Sequence, residues 1–217
     1  DNSAGLSYLV VAPAAMSNNV TIQGNKVYNI DGDGITLSGV QNALTDHNVV
    51  GGAGLKTVAG TQATSGGIWA MKTTGVTMQY NEVYGVLSAG GVDGHAFDND
   101  LYSSNTIVQY NYSHDNQGGF LLMEGQVLVS GTNLIVRYNL SVNDSWGGSK
   151  GVFTSEYGEM GTVNIYNNTV YIAPGLPSKP IFCEGCFPSF TNFNIWNFKN
   201  NIIANFGTGN YTNPAGW

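Results

Sequence analysis

An asparagine recurs through this chain at one place in a repeated phrase: an apolar residue, any residue, an apolar residue, two more, then asparagine. The phrase reads VTIQGN to Asn25, VTMQYN to Asn81, TIVQYN to Asn111, LIVRYN to Asn139, VNIYNN to Asn168 and WNFKNN to Asn201, with a weaker ALTDHN to Asn48. From Asn81 onward the spacings are 30, 28, 29 and 33 residues. A period of this size belongs to stacked units, none of which can bury its apolar face alone. Within each phrase apolar and other residues alternate, as in Val76-Thr77-Met78 and Leu134-Ile135-Val136, and a period of two means strand. An apolar residue follows two places after most of the asparagines (Val27, Val50, Val83, Val170, Ile203). The reading is a strand, a bend at the asparagine, and a second strand. The asparagine would take the left-handed backbone of the bend. Its amide would hydrogen-bond to copies one unit above and below.

A further strand follows in most units: Gly34-Ile35-Thr36-Leu37, Gly67-Ile68-Trp69-Ala70, Gly94-His95-Ala96-Phe97, Gly119-Phe120-Leu121-Leu122, Gly151-Val152-Phe153 and Ile181-Phe182-Cys183. Two or three short strands in each unit of about 30 residues, with no helical periodicity anywhere, describe an all-β solenoid of parallel strands. The repeats predict about seven coils in a single domain, 1–217, and the opening residues read as a strand already under way, so upstream residues are expected to be missing.

Composition limits the partners. Of 217 residues only 10% are charged, net charge is −7, and cations number one arginine and six lysines. So few cations exclude phosphate-neutralising contact with nucleic acid. A polyanionic substrate would be repelled unless a cation such as calcium bridged it, whereas a neutral glycan meets no such barrier. No long apolar run suggests a membrane span. Six Asn-x-Ser/Thr sequons accompany the low charge and point to a secreted or cell-surface protein, with Asn19, Asn143 and Asn210 as acceptors and Asn111 and Asn139 buried in the ladder. Cys183 and Cys186 make no zinc site; they read as a local disulfide or two free thiols.

The repeats from Val20 to Ile203 and their asparagine ladder resemble the right-handed parallel β-helix of the pectate-lyase-like superfamily. The resemblance implies the right-handed coil and a carbohydrate-active or adhesive role, since that superfamily contains polysaccharide lyases, glycoside hydrolases, esterases, tailspikes and adhesins. The chain departs from the named enzymes of the fold. Arg137, the sole arginine, lies inside a ladder strand, Gly94-His95 is followed by alanine, and no Arg-Ile-Lys occurs. Some lyases of the fold use a lysine base, for which Lys72 and Lys150 are the candidates.

Chemistry concentrates in Asp93-Gly94-His95-Ala96-Phe97-Asp98-Asn99-Asp100, followed by His114, Glu124, Glu156 and Glu159. Coils stack about 4.8 Å apart, so equivalent positions in successive units are neighbours. Two carboxylates at such distances serve as acid and base or nucleophile on a glycosidic bond, several can hold calcium, and a histidine can exchange a proton. The candidate catalytic set is Asp93, His95, Asp98, Asp100 and His114, with Asp98 or Asp100 paired to Asp93. No step requires a cofactor, and calcium is the one the cluster would accommodate. Asp31 and Asp33 read as turn residues, and Glu124, Glu156 and Glu159, taken singly, as solvated. With Ile35, Ile68, Phe120, Val152 and Ile181 pointing in, Thr36, Trp69, Leu121, Phe153 and Phe182 would point out as a sugar-stacking row. Substrate contacts are assigned to Trp69, Lys72, Glu124 and Phe153, and the loops at 51–67 and 174–188 would wall the groove. Two functions follow: cleavage of a polysaccharide, hydrolysis ahead of elimination, or a non-catalytic adhesin, glycan-binding module or filament subunit associating end to end.

Overall fold

The structure, a computed structural model, describes residues 4–9, 16–56, 65–88, 93–124, 133–156, 161–183 and 195–210. Its strands run in chain order as β1 (Ala4–Leu9), β2 (Ser17–Asn18), β3 (Thr21–Gln23) and β4 (Lys26–Tyr28). Then come β5 (Asp33–Ser38), β6 (Val40–Asp46), β7 (Val49–Gly51), β8 (Gly66–Met71), β9 (Thr74–Gln79) and β10 (Glu82–Tyr84). The middle holds β11 (His95–Asn99), β12 (Thr106–Gln109), β13 (Tyr112–His114), β14 (Gly119–Glu124), β15 (Leu134–Arg137) and β16 (Leu140–Val142). The last are β17 (Gly151–Glu156), β18 (Thr162–Tyr166), β19 (Thr169–Ile172), β20 (Lys179–Cys183), β21 (Ile195–Lys199) and β22 (Ile202–Asn205). Among the described residues there is no helix.

Every third strand pairs with its copy one turn away, always parallel. Sheet A runs β1-β5-β8-β11-β14-β17-β20, sheet B runs β2-β6-β9-β12-β15-β18-β21 with β3 also on β6, and sheet C runs β4-β7-β10-β13-β16-β19-β22. The triplets from β5–β6–β7 to β17–β18–β19 give about five turns, fewer than the seven read from the repeats. At the first repeat the sheet-B strand is broken into two short pieces, β2 and β3, both pairing with β6.

Register decides what is core. In sheet A, Ile35, Ile68, Phe97, Leu121, Phe153 and Ile181 form one inward column. In sheet B the inward column is Thr45, Met78, Val108, Val136, Ile165 and Phe198. Sheet C supplies Val27, Val50, Val83, Ser113, Ser141, Val170 and Ile203. Phe97, Phe120, Phe153 and Phe198 meet edge to face at 5.6 to 5.8 Å down the centre, a geometry that aligns positive ring edges with negative faces.

The asparagine column is present from Asn25 to Asn201. Each Oδ1 accepts from the backbone N–H and the side-chain Nδ2 of the preceding rung's asparagine. For Asn111 taking from Asn81 these distances are 2.9 and 3.1 Å, and for Asn139 taking from Asn111 they are 2.9 and 3.0 Å. The second Nδ2 hydrogen goes to a carbonyl, as from Asn111 to Met78 O at 2.9 Å. Buried at 2% exposure, Asn111 therefore leaves no polar atom unmatched. One detail differs from expectation. The left-handed residue is the one before the asparagine: Gly24, His47, Tyr80, Tyr110, Tyr138, Asn167 and Asn200 all have φ between 51° and 69°. The asparagine instead staples the bend from inside. Tyr80, Tyr110 and Tyr138 stack face to face outside it at 5.1 Å, which offsets the roughly 1 kcal/mol or more that a left-handed non-glycine costs.

Arg137 has a structural place. On the outer face of sheet B, Gln23 and Gln79 donate to Asp46, Gln109 donates to Gln79, and Arg137 donates to Gln109 Oε1 (2.8 Å) and to the Tyr166 hydroxyl (3.0 Å). A second polar ladder closes the corner after sheet C: Asp144 accepts from the Ser113 and Ser141 hydroxyls at 2.6 Å and from Asn116. Burial pushes its carboxyl up to about 6, against the pull of those donors.

Candidate active site

Sheet A turns one more column outward: Thr36, Trp69, Asp98, Leu122, Thr154 and Phe182. Here the sequence reading is off by one residue in β14 and β17 and holds again in β20, where Ile181 points in and Phe182 out. Gly118 and Gly119 start β14 so that both Phe120 and Leu121 are buried. Phe153 is consequently a core ring with no exposure, and not a platform for sugar. The row of outward rings reduces to Trp69 and Phe182.

Around Trp69 lies a cleft of about 210 Å³, lined by Asp33, Ser65, Gly66, Trp69, Met71, Asp93, His95, Asp98, Asp100, Leu101, Leu122 and Glu124. Four of the five proposed catalytic residues have side chains here, all from the one segment around β11, and the next rung adds Glu124. Asp93, at φ 56°, precedes β11. Asp98 lies on the strand's outer side and Asp100 just past its end. Glu124 ends β14 and pairs in register with Glu156 at the end of β17. Neither glutamate is simply solvated, as each reads in isolation: single carboxylate oxygens of Asp93, Glu124 and Glu156 lie within 4.8 Å of one another. Asp33, read as a turn residue, also faces the cleft and accepts from Gly66 N at 3.0 Å. Glu159 lies outside the described residues, as do 57–64 and 184–188 of the two loops expected to wall the groove.

Crowded carboxylates in a low-dielectric cleft resist ionisation. Burial, then the charge of Glu156, pushes Asp93 up to about 6. Burial, then a hydrogen bond to Asp100 and the surrounding negative charges, pushes Glu124 up to about 9. Asp98 is driven well above the usual carboxylate range by burial and by Asp100, Glu124, Asp93 and Glu156. The counter-charge is Lys150, a buried residue whose ammonium contacts Glu156 and lies 5.8 Å from the Phe182 ring centre.

His95 is held neutral here. It is 1% exposed, and burial, then the charge of Lys150, pushes its imidazole down to about 3. Its Nε2 lies 3.0 Å from Thr154 Oγ1, two rungs away. The ring reaches that far by passing Gly119, where a Cβ would lie 2.8 Å from His95 Cδ2. His95 is thus a neutral wall of the cleft. His114 is elsewhere: on sheet C, sandwiched between Tyr84 and Tyr112 at 4.9 and 4.6 Å, with Asp115 at 2.9 Å. Lys72 is exposed in the left-handed turn after β8, outside the cleft lining. Glu156, assigned no substrate or catalytic role from sequence, was recoverable from register, since Glu124 and Glu156 are one period apart; Lys150, a candidate lysine base from the resemblance, contacts it.

Among the described residues, three cleft atoms have no hydrogen-bond partner: Ser65 Oγ, His95 Nδ1 and Asp98 Oδ1. Buried polar groups are ordinarily paired, so a ligand rich in hydroxyls suits this floor. Of the sequon asparagines, Asn19 and Asn210 are exposed, Asn143 is half-buried and accepts from Ala173 N at 3.1 Å, and Asn111 and Asn139 are buried. Cys183 is in a disulfide; Cys186 lies outside the described residues. No helix among the described residues is long and apolar enough to cross a membrane.

Fold and site together define a parallel β-solenoid with an acidic, tryptophan-lined cleft on one sheet. The chain belongs to the right-handed β-helix family, matching its description, right handed beta helix region, over residues 14–170. It is 37% identical over 166 residues to a lacto-N-biosidase of Bifidobacterium longum subsp. longum, an alignment covering 72% of this chain and 10% of that protein. Two crystal structures of a GH136 lacto-N-biosidase from Eubacterium ramulus share the fold. The native one has a TM-score of 0.64 at 24% identity, covering 85% of this chain and 28% of that one. The selenomethionine derivative has a TM-score of 0.62 at 23% identity, covering 84% and 28%. The chain thus spans about a tenth of the curated relative and just over a quarter of the solved ones.

Proposed function

We propose that this chain, as one β-helix domain, is the catalytic part of a secreted or surface-bound glycoside hydrolase that cleaves a neutral oligosaccharide in the sheet-A cleft. The observation that carries the reading is the convergence of Asp93, Asp98, Asp100 and Glu124 beside Trp69. The relation to lacto-N-biosidase supports an oligosaccharide substrate. Asp93 is the general acid: held near 6, it keeps its proton at mildly acidic pH and can pass it to the leaving oxygen. Asp100 is the partner carboxylate, acting on the anomeric carbon directly or through water. It accepts from Leu101 N–H at 2.5 Å and is hydrogen-bonded to Glu124, contacts that fix its orientation. Trp69 provides a stacking face and His95 a neutral wall.

Hydrolysis is favoured over elimination because the described cleft holds no free cationic base: Lys150 contacts Glu156, and Lys72 and Arg137 lie outside the lining. Asp93, Glu124 and Glu156 would also fit a hard cation such as calcium. The hydrolytic steps above use these carboxylates without one. The test is a panel of chromogenic and natural β-linked glycosides, read for reducing sugar and for unsaturated product, with and without chelator. Metal-independent release of reducing sugar is expected. Unsaturated product, or complete loss of turnover with chelator, would replace this mechanism. A protein inert on every glycan would favour the adhesin or filament reading.

A further inference from the structure

Sheet C carries a second concavity, unrelated to the acidic cleft. Its outer column reads Tyr28, Gly51, Tyr84, His114, Val142 and Tyr171 on successive rungs. The glycine interrupts a row of side chains between two tyrosines. A Cβ at position 51 would lie 2.6 Å from Tyr84 Cζ and 2.9 Å from Tyr28 Cδ1, so both rings lean into the space that glycine leaves. The hollow they border measures about 460 Å³ and is lined by Tyr28, Asn29, Gly51, Gly52, Tyr84 and Gly85. Asn29, Gly52 and Gly85 are the left-handed residues that end the three rungs, at φ 57°, 69° and 64°. Two of those three corners have no side chain, which keeps the hollow open on that side, and the third offers an amide.

The walls are unequally supported. Tyr84 is backed by His114, stacked at 4.9 Å and itself stacked on Tyr112 at 4.6 Å. Tyr28, by contrast, is 44% exposed. The lining contains two phenols, one carboxamide and backbone, and no charged side chain.

We infer that the Tyr28–Gly51–Tyr84 hollow is an accessory binding site for one neutral pyranose ring, outside the catalytic cleft. Aromatic faces take the apolar C–H face of a sugar, and the phenol and amide groups at the rim take hydroxyls. An uncharged lining on a chain of net charge −7 selects a neutral ring over a uronate. The site is on sheet C and the acidic cleft on sheet A, so one glycan chain or two separate ones can occupy both. The inference does not depend on the hydrolase reading.

Saturation-transfer NMR with methyl β-galactoside, lactose and N-acetyllactosamine at millimolar concentration tests it. Wild-type protein should transfer saturation to ring protons of at least one of these sugars. Transfer should persist in Asp100→Asn and fall at least fivefold in Tyr28→Ala, which removes an exposed wall without touching the core. Gly51→Ala, whose methyl enters the ring space, should reduce it likewise, and both variants should keep wild-type rates on a small chromogenic glycoside. No transfer in the wild type, or transfer indifferent to Tyr28→Ala and Gly51→Ala, would overturn the inference. So would sedimentation showing self-association abolished by Tyr28→Ala, because the hollow would then seat a second copy. Tyr28-dependent transfer in a protein that hydrolyses nothing would leave this site standing and remove the proposed catalysis.

Discussion

Proton placement in the cleft follows from what surrounds each carboxyl. Asp93, pushed up to about 6 by burial and Glu156, is protonated below that pH. In the proposed role of general acid it would give a rate that declines as pH rises past about 6. Asp93→Asn and Asp100→Asn should each lower kcat roughly 10²- to 10⁴-fold, measured on an aryl glycoside. An unaltered rate in either would remove that residue from the mechanism. Glu124 tests the electrostatics separately. Its folded pKa, about 9, is above the ordinary carboxyl value, so its contribution to stability is complete at low pH. That contribution is lost progressively as pH rises from the unfolded value toward 9. Glu124→Gln keeps a neutral hydrogen-bonding group and removes the titration. The variant's Tm should therefore fall less than wild type between pH 5 and 9. Parallel curves would show that Glu124 ionises normally.

Within the strands and their corners, the ladder asparagines and the central phenylalanines carry the turn. Asn111→Ala would leave Asn81 N–H and Met78 O unpaired inside the bend, where they now bond Asn111 at 2.9 Å each. With about 1–3 kcal/mol for each buried group left unsatisfied, chemical denaturation should show a loss of about 2–6 kcal/mol. A loss under 1 kcal/mol would mean that the corner repacks without its staple. Phe153→Ala deletes a ring that links Phe120 to Phe198 and should cost about 3–5 kcal/mol. A platform residue would lose sugar affinity and little stability. The strand at β14 shows why element positions were harder to read than element existence. Alternation predicts which of two faces a residue takes only while the pleat is unbroken. The glycines at 118 and 119 allow a bend in which Phe120 and Leu121 both point in, and the assignments in β14 and β17 shift by one while those in β20 do not.

Over the whole molecule, several acidic groups share one sign of perturbation: Asp33, Asp93, Asp98, Glu124 and Asp144 are all raised. Each favours the folded state when protonated, so their contribution should decline from about pH 5 upward, while His95 and Asp46, both lowered, make stability fall again toward strong acid. Thermal melts across pH would show it, and a maximum above pH 8 would contradict it. In this wound chain, local sequence alone determined the coil. A strand of alternating residues, a corner asparagine whose amide can satisfy only copies of itself, and a period near 30 together admit parallel stacking and little else. That is why Asn25 to Asn201, the inward valines and the burial of Asn111 were legible before any coordinates. The cleft was half legible, because Asp93 to Asp100 are adjacent in the chain. Tertiary structure decided the rest: Glu124 and Glu156 join Asp93 only through inter-rung register, His95 is neutral because it is buried near Lys150, and His114 belongs to another sheet. Distance along a solenoid axis is set by pairing between turns, and a single residue of slip at a glycine corner moves a side chain from core to cleft.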